Sequence, residues 1–161
     1  MKKTLFVSLA LGIASLALSA CGDTTSQDAT AEAPDGVPGL AVTDARMILA
    51  PVAGNPAAVY FDLTYSGDKN IALRAADVAG AKSAPMHDYA EWDGKMQMMD
   101  MLPVVLKNGD TLSFAPGGKH IMAMDVSPDL KPGDTTEVTL TFAGGDKFSF
   151  PAEIRAAGDE R

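Results

Sequence analysis

Between residues 40 and 155 the apolar positions come in short runs with the period of a strand. Ala57-Ala58-Val59-Tyr60-Phe61-Asp62-Leu63-Thr64-Tyr65 is rich in β-branched and aromatic residues and is closed by Ser66-Gly67-Asp68. Thr136 to Phe142 alternates with period two and sets Val138, Leu140 and Phe142 on one face. Gly144-Gly145-Asp146 then turns the chain into the run Phe148 to Ile154. Asn108-Gly109-Asp110 and Pro116-Gly117-Gly118 punctuate two further short apolar runs. No window of about twelve residues carries a helical period. Short strands at roughly 8–12-residue spacing predict an all-β fold, an antiparallel sandwich or barrel.

One hairpin can be read residue by residue. Trp92-Asp93-Gly94-Lys95 has Asp-Gly at its centre, the pair favoured in two-residue type I′ turns because both central residues need positive φ. With Asp93 and Gly94 as the loop, Trp92 pairs with Lys95, Tyr89 with Met98 and His87 with Asp100. This register sets His87 and Tyr89 on one face with Met98 and Asp100, and turns Met86, Met99 and Met101 to the other. His87 and Met98 become diagonal neighbours, with backbones ~7–8 Å apart and within reach of long side chains.

The ends of the chain follow a different pattern. Lys2 and Lys3 precede an apolar stretch from Leu5 to Ala17, and Leu18-Ser19-Ala20-Cys21 follows. Residues 1–20 are expected to be a signal peptide, since the apolar stretch is shorter than the ~20 residues a membrane span needs. Leu-Ser-Ala-Cys resembles the bacterial lipobox, which implies cleavage before Cys21, lipidation of that thiol, and anchoring to a membrane on the exported side. Residues 21–39 are poor in large apolar side chains and read as a flexible tether. Residues 40–155 form the expected domain, and residues 156–161 a polar tail without His or Met.

Composition narrows the function. The chain has 161 residues, of which 47% are hydrophobic, enough for a real core in a single domain. Its net charge is −8, and loss of Lys2 and Lys3 with the signal takes it to −10. An acidic chain of this kind is a poor partner for nucleic acid. The single Cys excludes an internal disulfide and a Cys-based zinc site.

The chemistry lies in the sulfur and imidazole content. There are nine Met and only two His, and seven of the Met fall between residues 86 and 124 with both His. Along a strand, His120, Met122 and Met124 share one face, so two strand segments each present a His and a Met towards a common point. Thioether and neutral imidazole suit Cu(I), whereas zinc recruits thiolate or carboxylate and magnesium or calcium recruits oxygen. Thioethers neither titrate nor form disulfides, which fits a compartment that oxidises thiols.

The spacing then carries a resemblance. His87, ten residues, Met98, twenty-one residues and His120-Ile121-Met122 reproduce the His-X10-Met-X21-His-X-Met signature of the PCu(A)C family of periplasmic copper chaperones. A shuffled chain of this composition meets that spacing with a probability on the order of one in thirty thousand. Pro116-Gly117-Gly118-Lys119-His120-Ile121-Met122 is similar to the family's Pro-Gly-Gly-X-His-X-Met segment. Lys131-Pro132-Gly133-Asp134 and Val138 to Phe142 are similar to its closing strands. In one departure, Asp88 follows the first His where the family often has Met, and Met86 precedes it instead, which weakens any auxiliary role for Met86.

The resemblance implies a cupredoxin-like Greek-key sandwich or barrel that binds one Cu(I) through His87, Met98, His120 and Met122. It also implies delivery of copper to cytochrome c oxidase assembly, at the copper A centre or through a Sco-type partner; no catalytic constellation accompanies these residues, so a monomer that is not an enzyme is expected. Some relatives carry a His- and Met-rich C-terminal extension; the polar tail here has neither, so no second, Cu(II)-specific site is expected. Met96, Met99, Met101 and Met124 are expected to pack or to support the site from behind, because Met commonly fills core gaps. Tyr89 and Trp92 could shield an ion, with hydrophobic or turn packing the stronger expectation. Two other readings stand beside the carrier: a copper-scavenging or tolerance protein with no oxidase client, and a metal-free β-sandwich scaffold lipoprotein whose methionines only pack.

Overall fold

The computed structural model describes residues 36–159. The expected signal segment 1–20, the lipidation site Cys21 and most of the expected tether lie outside the described residues.

All regular structure among the described residues is strand. In chain order these are β1 (Leu40–Ile48), β2 (Ala57–Tyr65), β3 (Ile71–Val78), β4 (Met86–Trp92) and β5 (Lys95–Asp100). The remainder are β6 (Val104–Leu106), β7 (Thr111–Phe114), β8 (His120–Ala123), β9 (Thr135–Phe142) and β10 (Lys147–Arg155). The strands pair in the order β5-β4-β8-β2-β1-β10-β9-β3-β6, with β7 added to β2. This is the expected all-β sandwich, and its pairs are antiparallel with one exception. β1 and β10, the first and last strands, run parallel, with Met47 opposite Ile154. A parallel pair needs a long crossover, and here the whole intervening domain supplies it.

Period-two alternation explains where the core sits. Along β2, Ala57, Val59, Phe61, Leu63 and Tyr65 are all buried while their neighbours are not. Val138, Leu140 and Phe142 of β9 are buried in the same way, as their alternation predicts. Phe61 stacks on Phe114 of β7, with ring centres 4.3 Å apart, and meets Phe150 of β10 at 5.1 Å. The buried Thr136 donates its hydroxyl to the Ala79 carbonyl at 2.7 Å, which offsets the cost of taking it out of water.

The core takes in residues that precede β1. Val37 is buried in the core, and the Leu40 amide donates to the Val37 carbonyl. Between them Gly39 has φ +81°, and a Cβ there would lie 2.5 Å from the Gly67 backbone nitrogen. Only glycine fits that approach.

The strand that positions the candidate site is β2. Its residues 57–59 pair with β8 and its residues 61–64 pair with β7, so β7 and β8 lie end to end along one edge. β4 pairs with the far side of β8 only at Met86 and His87. The rest of the β4–β5 hairpin projects beyond the sheet, and every residue of β5 is exposed.

Candidate metal centre

The register between β4 and β8 sets the two histidines directly opposite each other. Met86 pairs with Ile121 and His87 with His120. Because successive side chains alternate, Met86 and Ile121 enter the core and both His residues turn to the other face of the sheet. The ring centres of His87 and His120 are 5.6 Å apart, inclined at 53°. An ion held by one nitrogen of each ring would lie about 3 Å from each ring centre, a span that the 5.6 Å separation allows.

Each ring is held from behind by a different group. His120 is buried, and its Nδ1 lies 2.9 Å from the Gly118 carbonyl. A carbonyl only accepts, so Nδ1 carries the proton and donates, and the Nε2 lone pair is left for a ligand. The loop aiming that carbonyl is closed by the Ala115 amide donating to Lys119 at 2.9 Å and the Gly118 amide donating to Ala115 at 3.0 Å. His87 is the reverse case. Its Nε2 lies 3.2 Å from Oδ1 of Asp100, its register partner on β5, while its Nδ1 is buried with no partner. A buried, unpaired nitrogen is costly, and a bound metal would satisfy it.

The thioethers lie on the same face. The Asp93-Gly94 turn has φ of 50° and 70°, and β4 and β5 pair in the register expected from it, Trp92 with Lys95, Tyr89 with Met98 and His87 with Asp100. Met98 is therefore a diagonal neighbour of His87 and is 44% exposed. Met122 follows His120 by two residues on β8 and is half-buried opposite Ala58, whose small side chain leaves room beside it. Among the described residues no three of His, Cys, Asp or Glu converge as a metal-binding group.

The other methionines divide. Met86 is buried on the core face, and Met101 packs against the core, as expected. Met124 is half-buried and bridges to Ser83. Met96 and Met99 are not part of the core: they are 64% and 44% exposed on an edge strand whose residues are all exposed among the described residues. Trp92 is likewise exposed at the hairpin tip, because β4 has left the sheet by that point. Tyr89 does approach the site, with its ring centre 5.7 Å from that of His120.

Behind the imidazoles, on the other face, Asp88 lies where the β4–β8 register would put it opposite Lys119. The two form an ion pair at 2.7 Å. Burial alone would raise the Asp88 carboxyl, but hydrogen bonds from Lys119 and the Tyr89 amide, and the nearby positive charge, hold it below the usual carboxylate value. The supports of the two rings, Asp100 and the Gly118 carbonyl, were not assigned from the sequence. The hairpin register set Asp100 opposite His87 without giving it a role, and the carbonyl has no side-chain signal at all.

Residues 40–154 match a protein family described as "Putative lipoprotein LpqE-like". The chain is 27% identical over 146 residues to "Putative lipoprotein Lxx21020" of Leifsonia xyli subsp. xyli, covering 90% of this chain and 87% of that one. Among solved structures, the apo PCuAC domain from PmoF1 is 26% identical with a TM-score of 0.60, covering 74% of this chain and 96% of that one. The solution structure of CuI-DR1885 from Deinococcus radiodurans is 24% identical with a TM-score of 0.57, covering 84% of this chain and 89% of that one. The family match runs from the first residue of β1 to the last but one of β10 and takes in both histidines. The chain belongs to the LpqE-like family, and its domain has the PCuAC fold.

Proposed function

We propose that this protein is an exported copper carrier, not an enzyme, that holds one Cu(I) ion through His87, Met98, His120 and Met122. Cleavage before Cys21 and lipidation of that residue anchor it to a membrane on the periplasmic side, and the segment from there to residue 36, short of the buried Val37, tethers the domain. It hands its ion to a copper-accepting protein of cytochrome c oxidase assembly, either the subunit with the copper A centre or a Sco-type chaperone. The lipoprotein names of the family and of the Leifsonia relative support the anchor, and the copper-bound state of the Deinococcus structure supports the cargo.

The single observation that carries this reading is the paired imidazoles, His87 with a buried unpartnered Nδ1 and His120 with Nε2 left free. Both point the same way chemically, towards a metal that accepts neutral nitrogen. With two thioethers added, the donor set is neutral and soft, which favours Cu(I) over harder ions. Neutral imidazole and thioether also exchange no proton as the ion enters or leaves. Transfer then proceeds as ligand substitution, in which the acceptor's donors replace the exposed thioether of Met98 first and the buried imidazole of His120 last.

A deletion strain grown at low copper tests the physiological reading. Loss of oxidase activity and oxidase copper, restored by the wild-type gene but not by a Met98→Leu, Met122→Leu variant, is the expected result. Unchanged oxidase copper with increased copper sensitivity would mark a tolerance protein, and no copper phenotype would mark a scaffold.

A further inference from the structure

Met96 has no packing role to explain it. It is 64% exposed and absent from the core, although burying such a side chain ordinarily contributes stability. Its place in the register is specific. It lies two residues from Met98 on β5, and so on the same face as Met98, His87 and Tyr89. Two residues along a strand span ~6.5–7 Å, a gap that two flexible thioether side chains can close. Directly across the hairpin is Glu91, which adds a negative charge beside the sulfur.

The soft donors on this face form a graded row. His120 is 6% exposed, the His87 side chain 12%, Met98 44% and Met96 64%. The row runs from the paired strands β4 and β8 out along the projecting hairpin. Met99, though also exposed, belongs to the other face and is not part of it.

We infer that Met96 is an outer, transient thioether ligand through which Cu(I) enters and leaves the His87, Met98, His120 and Met122 site. The inference rests on the reading of that site as a Cu(I) carrier. An ion leaving Met98 for an incoming donor loses coordination unless another soft atom is at hand. Met96 supplies one at the solvent end of the row, and the Glu91 carboxylate stabilises the cation while it is held there. On the way out the copper–sulfur and copper–nitrogen bonds of the site break as a bond to the Met96 sulfur and then bonds to the acceptor's donors form, and the ion remains Cu(I) throughout.

The test compares Met96→Leu with Met99→Leu, both close in volume to the original and both lacking a thioether. Purified proteins are loaded anaerobically with one equivalent of Cu(I), and transfer to bathocuproine disulfonate is followed by stopped-flow absorbance. Met96→Leu is expected to keep one equivalent with an affinity within about twofold of wild type, while its transfer rate falls about tenfold, the effect of one weak bond lost from the transition state. Met99→Leu is expected to transfer at the wild-type rate. A wild-type rate in Met96→Leu would overturn the inference, as would a large loss of affinity, which would make Met96 a resident ligand. Failure of the wild-type protein to bind Cu(I) at all would instead overturn the carrier reading, and the inference with it.

Discussion

The two histidines are oriented by groups of different kinds, and this decides what each substitution does. His120 leans on a backbone carbonyl that no side-chain change removes. His87 leans on Asp100, which is itself almost fully exposed. Groups behind a ligand typically contribute 10–100-fold to metal affinity, and a water-exposed one belongs at the low end. Asp100→Ala is therefore expected to weaken Cu(I) binding about tenfold with stoichiometry unchanged, as measured by competition with a chelator. At this scale the legible residues were those whose chemistry is rare in the chain: two His and a tight cluster of Met. Met96 was harder to place, because a methionine is ordinarily a core residue, and only the structure shows that β5 is exposed along its whole length among the described residues.

At the scale of the element, the β4–β5 hairpin carries Met98 and depends on its turn. Gly94 has φ +70° and open space around it, so replacement by Ala meets no clash and costs only the left-handed backbone, about 1–2 kcal/mol. Because the hairpin projects from the sheet, Gly94→Ala is expected to speed amide exchange in residues 88–99 while the core strands keep their protection. The Asp88–Lys119 pair ties the base of the same hairpin to the loop before β8. With the folded Asp88 held below the usual carboxylate value, its stabilisation is present above that value and lost as pH falls through the lowered one. Both partners are about one-third exposed, so solvent screening keeps the contribution at roughly 1 kcal/mol or less. Metal-free Asp88→Asn should unfold more easily than wild type by that amount at neutral pH, and equally at strongly acid pH, in paired denaturant titrations. The hairpin register was readable because Asp-Gly admits few turns. The parallel pairing of β1 with β10 was not, since strand periodicity reports which face is buried and says nothing about which strand lies alongside.

For the whole molecule, the domain is a packed sandwich that holds one edge assembly in place. Phe61 is 1% exposed and joins β2, β7 and β10 through aromatic contacts. Phe61→Ala is expected to lower global stability by about 3–5 kcal/mol in equilibrium unfolding, because it empties the point where these strands meet. The proposed carrier site lies on one face of the same strand system, with its candidate donors on β4, β5 and β8. The most direct measurement is an anaerobic Cu(I) titration of the domain against a competing chelator, for wild type and for Met98→Leu, Met122→Leu. One equivalent bound tightly by wild type, and an affinity reduced at least about a hundredfold in the double variant, as expected when two ligating atoms are lost, is the predicted result. One equivalent bound with unchanged affinity by the double variant would contradict the His87, Met98, His120 and Met122 site.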